Sequence, residues 1–223
     1  MPRIGESTPG FDEPLGLLRA CHRRIAERLD LLERLASYVV VHGSDESASA
    51  AARRVLDYFD RAAAHHHEDE EEDLFPMLRK TRGRAGWDDR LPDALDQLAR
   101  EHPLLGSHWA KLRPVLIAIT RGQWVREFRC DDLLRAYRSH MSLEEELVFP
   151  LADRLLTDAE LQRLGSSMQR RRGLDAKADA GSRNREDSAE GASVPAVGDL
   201  QEGQSVRNPG RTGGGVTSGP SRS

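Results

Sequence analysis

Four stretches of this chain set apolar residues in alternating steps of three and four, the spacing that lines one face of an α-helix. The first runs Leu15, Leu18, His22, Ile25, Leu29, Leu32, Ala36, Val39. The second runs Leu56, Phe59, Ala63, His66, Glu70, Leu74, Met77, and the third Leu91, Leu95, Leu98, His102, Leu105, Trp109, Leu112, Leu116, Ile119. The fourth runs Leu133, Tyr137, His140, Glu144, Leu147, Leu151. Breaks fall at His42-Gly43-Ser44, between Thr81 and Pro92, and at Arg121-Gly122, all Gly-, Ser- or Pro-bearing turns. Four amphipathic helices joined by turns most simply form an all-α, up-down-up-down four-helix bundle with the four seams facing one axis. Thr157 and Glu160 have the spacing of a capping box. A short fifth helix is therefore expected from Thr157 to about Arg171, with Leu161, Leu164 and Met168 on its apolar side.

Composition changes near residue 172. The segment 172–223 is rich in Gly and Ser and poor in large apolar residues, so it cannot offset its ordering entropy and is expected to be disordered. The folded domain is expected to span 11–171. Within it, Arg170, Arg171 and Arg172 read as a solvated helix end. No apolar run reaches about 18 residues and the N-terminal segment lacks an apolar core, so neither a membrane span nor a secretory signal is expected. Cys21 and Cys130 are isolated and read as reduced thiols, which suits a cytoplasmic setting. The net charge of −4 is mixed along the chain and gives no basic face for nucleic acid.

The chemistry lies on the seams. Each seam holds one histidine, and two hold a glutamate four residues later. A buried carboxylate without a partner costs several kcal/mol, and no Lys or Arg occupies the seams at those levels. A bound cation would supply the missing charge. An internal repeat sharpens the pattern: His66 to Pro76 and His140 to Pro150 both read H-x-x-x-E-E-x-x-(L/V)-F-P. The i,i+4 spacing puts each His–Glu pair on one helix face, about 6 Å apart along the axis. With the second and fourth helices diagonal, Glu70 and Glu144 can meet across the axis and bridge two metals, with His22 and His102 reaching in from the other helices. Repeat and seam both select His66 from the run His65-His66-His67, leaving His65 and His67 toward solvent or a helix boundary. His108 points away from His102, and His42 sits at a helix end. Glu68, Asp69, Glu72 and Asp73 read as a solvated acidic face.

The Cys-His-Arg-Arg-Ile segment around His22, both HxxxEE segments and the Arg-Glu-His segment ending at His102 resemble the hemerythrin-like (HHE cation-binding) family over about residues 12–170. The resemblance implies a non-haem centre of two iron ions in a four-helix bundle, oxo- or hydroxo-bridged, with two bridging carboxylates. The matched ligands are His22, His66, Glu70, His102, His140 and Glu144. Imidazole with carboxylate suits iron or manganese better than magnesium or calcium. Oxygen-carrying members have a fifth histidine one turn from the third-helix ligand, where this chain has Leu98 and Gly106. The missing ligand leaves the metals less saturated, and Gly106 either leaves room beside them or lets helices pack closely. The repair branch of the family carries a cysteine-bearing segment ahead of the bundle, and no cysteine precedes the first helix here.

Three uses follow. The site can bind O2 or NO for sensing or for iron and redox homeostasis, which is the favoured reading. It can be an enzyme acting on peroxide or nitric oxide, with Tyr137, Glu71 or Glu145 assisting proton movement. It can store or donate iron, including for iron-sulfur cluster repair.

Overall fold

A computed structural model describes residues 9–174, and among the described residues there are helices and no strand. The segment expected to be disordered lies, apart from Arg172–Leu174, outside the described residues. Helix α1 spans Pro14–His42, with proline in its first turn where the missing N–H costs nothing. Helix α2 spans Glu46–Phe59 and starts on Asp45, whose carboxylate accepts a hydrogen bond from the Ala48 amide at 2.8 Å. Helix α3 spans Ala62–Glu68, α4 Phe75–Arg79 and α5 Leu91–Thr120. Helix α6 spans Asp131–Leu143, α7 Phe149–Leu155 and α8 Asp158–Arg171. Helix α1 packs on α2 and α6, α2 packs on α5, and α5 packs on α6, which closes a four-cornered ring.

The second seam is not one unbroken helix. It pauses at Asp60 and Arg61 between α2 and α3. Asp60 is held there by the Arg113 guanidinium at 2.9 Å and by the Trp109 indole N–H at 3.1 Å. Further on, π-helical turns occupy Asp69–Leu74 and Glu144–Val148. In each, a phenylalanine amide donates to the carbonyl five residues back: Phe75 to Glu70, and Phe149 to Glu144. The cause is the following proline. Pro76 and Pro150 cannot donate to the carbonyl four residues behind, and their rings crowd it, so the turn ahead widens.

The wide turns shift the buried register. Leu74, Phe75 and Leu78 enter the core, whereas Met77, expected from even steps, is only partly buried. Val148 likewise replaces Leu147. At the start of the second seam Val55, not Leu56, faces inward.

The apolar core forms two clusters. One joins Ile25–Val39 of α1, Ala48–Ala63 of α2 and α3, Leu105–Ile119 of α5 and Leu133–Met141 of α6. The other joins Leu15 and Leu18, Leu74–Leu78, Leu91–Leu98, Val148–Leu156, and Leu164 with Met168. On every long helix the residues named above as candidate ligands fall between the two.

Helix α8 covers the second cluster. The expected capping box is present: the Thr157 amide donates to Glu160 at 2.9 Å, and the Glu160 amide donates to the Thr157 hydroxyl at 3.3 Å. Gly165 sits so near the chain before α1 that an added Cβ would fall 1.8 Å from the Phe11 carbonyl oxygen. The end of α8 corrects the reading of a solvated arginine run facing a solvated acidic face. Asp69 is fully buried and ion-paired to Arg171 and, at 2.7 Å, to Arg172. Arg171 also binds Asp73 at 2.7 Å and Glu72 at 2.9 Å. The widened turn rotates Asp69 inward, and a buried carboxylate needs a cation.

Candidate metal centre

His22 comes from α1, His66 from α3, His102 from α5 and His140 from α6, while Glu70 and Glu144 come from the two π turns. All six are buried and converge at one level of the bundle. They form two bays. In one, His22 Nε2 and His66 Nε2 lie 3.0 Å apart, and in the other His102 Nε2 and His140 Nε2 lie 3.2 Å apart. Glu70 turns Oε1 to His66 at 3.3 Å and Oε2 to His102 at 3.6 Å. Glu144 turns Oε2 to His22 at 3.0 Å and Oε1 to His140 at 3.2 Å. Each carboxylate thus gives one oxygen to each bay.

Proton placement makes this arrangement repulsive without a cation. His22 Nδ1 faces Glu145 at 3.0 Å, His140 Nδ1 faces Glu101 at 3.0 Å, and His102 Nδ1 faces Glu71. A carboxylate at Nδ1 fixes the proton there and leaves a bare lone pair on Nε2. In the second bay two such lone pairs face each other, beside two carboxylate oxygens. None of the four Glu70 and Glu144 oxygens accepts a hydrogen bond among the described residues. Orphaned acceptors in a dry core are what a metal satisfies. The Nε2 separations fit as well. Two cis ligands at bond lengths of about 2.0–2.1 Å stand about 3 Å apart.

Burial, then the neighbouring Glu144 carboxylate, push Glu70 well above the ordinary carboxylate range. Burial and then His22 push His66 well below the usual histidine range. Burial and then His140 lower His102. His140 moves the other way: its burial is outweighed by Glu144 and Glu101. The directions at Glu70, His66 and His102 favour their uncharged forms, whereas that at His140 favours the charged imidazolium beside Glu144 and Glu101.

Over residues 13–152 the chain matches the Hemerythrin HHE cation binding domain. It belongs to that family. An uncharacterized protein of Haemophilus influenzae is 29% identical over 164 residues, spanning 73% of this chain and 91% of that protein. This HHE domain is thus a helical member of a cation-binding family, with a buried His/Glu cluster able to hold metal.

Several neighbours of the centre depart from the sequence reading. His67 does not face solvent. Its ring stacks on His102 with centroids 4.1 Å apart and planes 12° from parallel, and its Nε2 is buried without a partner. Burial, then His102 and His140, push it down to about 3. The wide π turn that follows α3 accompanies a local rotation in which His66 and His67 both turn toward the interior. His65 behaves as expected, half-exposed beside Glu68 at 3.3 Å. Glu101 was not foreseen as a partner of His140. Its position one residue before His102 was the available signal, since Glu71 and Glu145 likewise adjoin candidate ligands. Gly106 neither packs a helix nor clears the site: it is exposed, with nothing within 4 Å of where a Cβ would stand. Tyr137 is buried between Phe59 and His67, and burial raises its phenol far above the normal range. It therefore stays protonated. Among the described residues no helix is long and apolar enough to cross a membrane.

Proposed function

We propose that this protein is a non-haem di-iron protein that binds O2 or NO for sensing or for iron and redox homeostasis. Its fold on this reading is an up-down-up-down four-helix bundle. The order of the two core clusters supports that course: second cluster then first along α1 and α5, first then second along α2–α4 and α6–α7. His22 and His66 would hold one iron, His102 and His140 the other, with Glu70 and Glu144 spanning both.

The observation that carries the reading is the division of each carboxylate between two imidazole pairs. A single ion would gather the donors to one point, and a storage cavity would not fix a proton on Nδ1 of three histidines. Four imidazoles and two carboxylates suit iron, with manganese as the alternative ion. When bound there, a ferrous pair would supply the electrons and the open positions that O2 or NO binding needs. The residues around them do the rest. Glu145, Glu71 and Glu101 orient His22, His102 and His140. Leu98 and Phe149 exclude water, each fully buried, and Phe149 lies 5.0 Å from the His22 ring.

Protein purified without chelators should contain two irons per chain by metal analysis and give a coupled pair by Mössbauer spectroscopy. Adding O2 or NO to the anaerobic ferrous protein should change its optical spectrum. An unchanged spectrum with both gases would end the ligand-binding reading. Steady turnover of peroxide or NO, lost in Glu144→Ala, would replace it with an enzyme.

A further inference from the structure

We propose that His67 is the hydrogen-bonding group for an exogenous ligand held at the ion of the His102–His140 bay. The inference rests on the metal reading above and adds a residue that the six-ligand pattern does not contain.

His67 is poorly placed as a ligand itself. An imidazole that binds through a ring nitrogen keeps the ion in its own ring plane. The His102 and His140 planes cross at 63°, with their Nε2 atoms 3.2 Å apart, so both planes can pass through one ion. The His67 and His102 rings are stacked and nearly parallel, 12° apart at 4.1 Å. Two stacked parallel planes do not meet at a common ion. Yet one ring nitrogen of His67 lies within 4.8 Å of a ring nitrogen on both His102 and His140. That range fits a bridge. A donor atom on a metal stands about 2 Å from it, and a hydrogen bond from that molecule adds about 2.7–3.2 Å.

The surroundings agree. His67 Nε2 is buried and meets no partner among the described residues, a state that costs about 1–3 kcal/mol unless something else fills it. The ring stacks on His102, and Tyr137 lies near it with centroids 6.2 Å apart and planes at 23°. A small anion or polar diatomic bound beside it would satisfy the stranded nitrogen.

Azide serves as the probe, titrated into the diferric protein and followed by its charge-transfer band. His67→Phe keeps the stacked ring and removes the nitrogen, and His67→Leu serves if the phenyl ring prevents folding. His67→Gln keeps an N–H at similar reach. The apolar variants should retain two irons and bind azide about tenfold more weakly, the loss of one hydrogen bond to a charged group. The glutamine variant should stay within about threefold of wild type. Unchanged azide affinity in Phe and Leu overturns the proposal, as does glutamine behaving like them. Loss of one iron in the apolar variants also overturns it, making His67 a ligand instead. Wild-type protein that fails to load two irons sinks the underlying metal reading and is told apart by metal analysis before any azide is added.

Discussion

Glu70 has opposite effects in the metal-free and metal-bound protein, and a single substitution separates them. Without metal its carboxylate is fully buried beside Glu144, with no hydrogen-bond donor to either oxygen. With metal both oxygens gain a cation. Glu70→Gln keeps shape and volume while removing the charge. The metal-free variant should melt above metal-free wild type at neutral pH, by about 1–3 kcal/mol, because the cost of burying a carboxyl group whose proton affinity is driven far above its ordinary value is gone. The same variant should bind fewer than two irons. Calorimetry on chelator-treated protein and metal analysis on loaded protein check the two signs. A lower melting temperature in the metal-free variant would mean that Glu70 is held by something other than an ion. At this scale the convergence of His22, His66, Glu70, His102, His140 and Glu144 was legible, because steps of three and four put each on an apolar face. His67 and Asp69 were not legible. Their inward turn depends on a helix that locally departs from 3.6 residues per turn.

Elements carry that departure. In both repeats the residues from His to Glu to the next core residue are spaced four and four: His66, Glu70, Leu74 and His140, Glu144, Val148. An ideal helix drifts off such a line, and a π turn restores it. The FP pair that ends each repeat was the readable sign, and even extrapolation past it misplaced Met77 and Leu147. Helix α8 offers two tests. Gly165→Ala would drive a methyl group into the Phe11 carbonyl, a backbone contact that cannot rotate away. It should destabilise the domain by about 1–3 kcal/mol in urea unfolding, with α8 loosened from α1. The second test concerns pH. Arg84 and then the Thr157 amide hold Glu160 down to about 2 from an ordinary 4.5. A depressed carboxylate stabilises the folded state above the unfolded value and loses that contribution as pH falls toward the folded one. Stability should therefore decline between about pH 4.5 and 2, and Arg84→Ala should flatten that part of the curve. The pair lies near the surface, so the difference should stay within about 1 kcal/mol. An acid limb of unchanged slope would show that Glu160 is held mainly by its helix N-terminus.

For the molecule as a whole, the polar layer divides the core into two apolar clusters that no apolar side chain bridges at the level of the six residues. Helices α1 and α5 run through both clusters, and on the metal reading a bound ion would add a second link through the middle. Binding to the folded state alone adds RT ln(1 + [L]/Kd), about 2.7 kcal/mol when free metal exceeds Kd a hundredfold. A domain of this size shifts by about 2–4 °C per kcal/mol. Iron loading should therefore raise the melting temperature by about 5–10 °C for one site at that excess, and by more for two. The rise should follow metal concentration rather than ionic strength, because the charges concerned are buried and screened little by salt. Magnesium at the same concentration should give almost none of it, since imidazole nitrogens are poor partners for that ion. The Arg171 and Arg172 contacts to Asp69, beside Glu70, extend the effect to α8: Arg171→Ala with Arg172→Ala leaves Asp69 buried without its cations. That double variant should melt lower with or without iron, by about 3–5 kcal/mol, and should release iron faster to a competing chelator because the turn holding Glu70 is no longer braced. Equal release rates in variant and wild type would confine the arginines to stability alone and show that the two ends of this layer act independently.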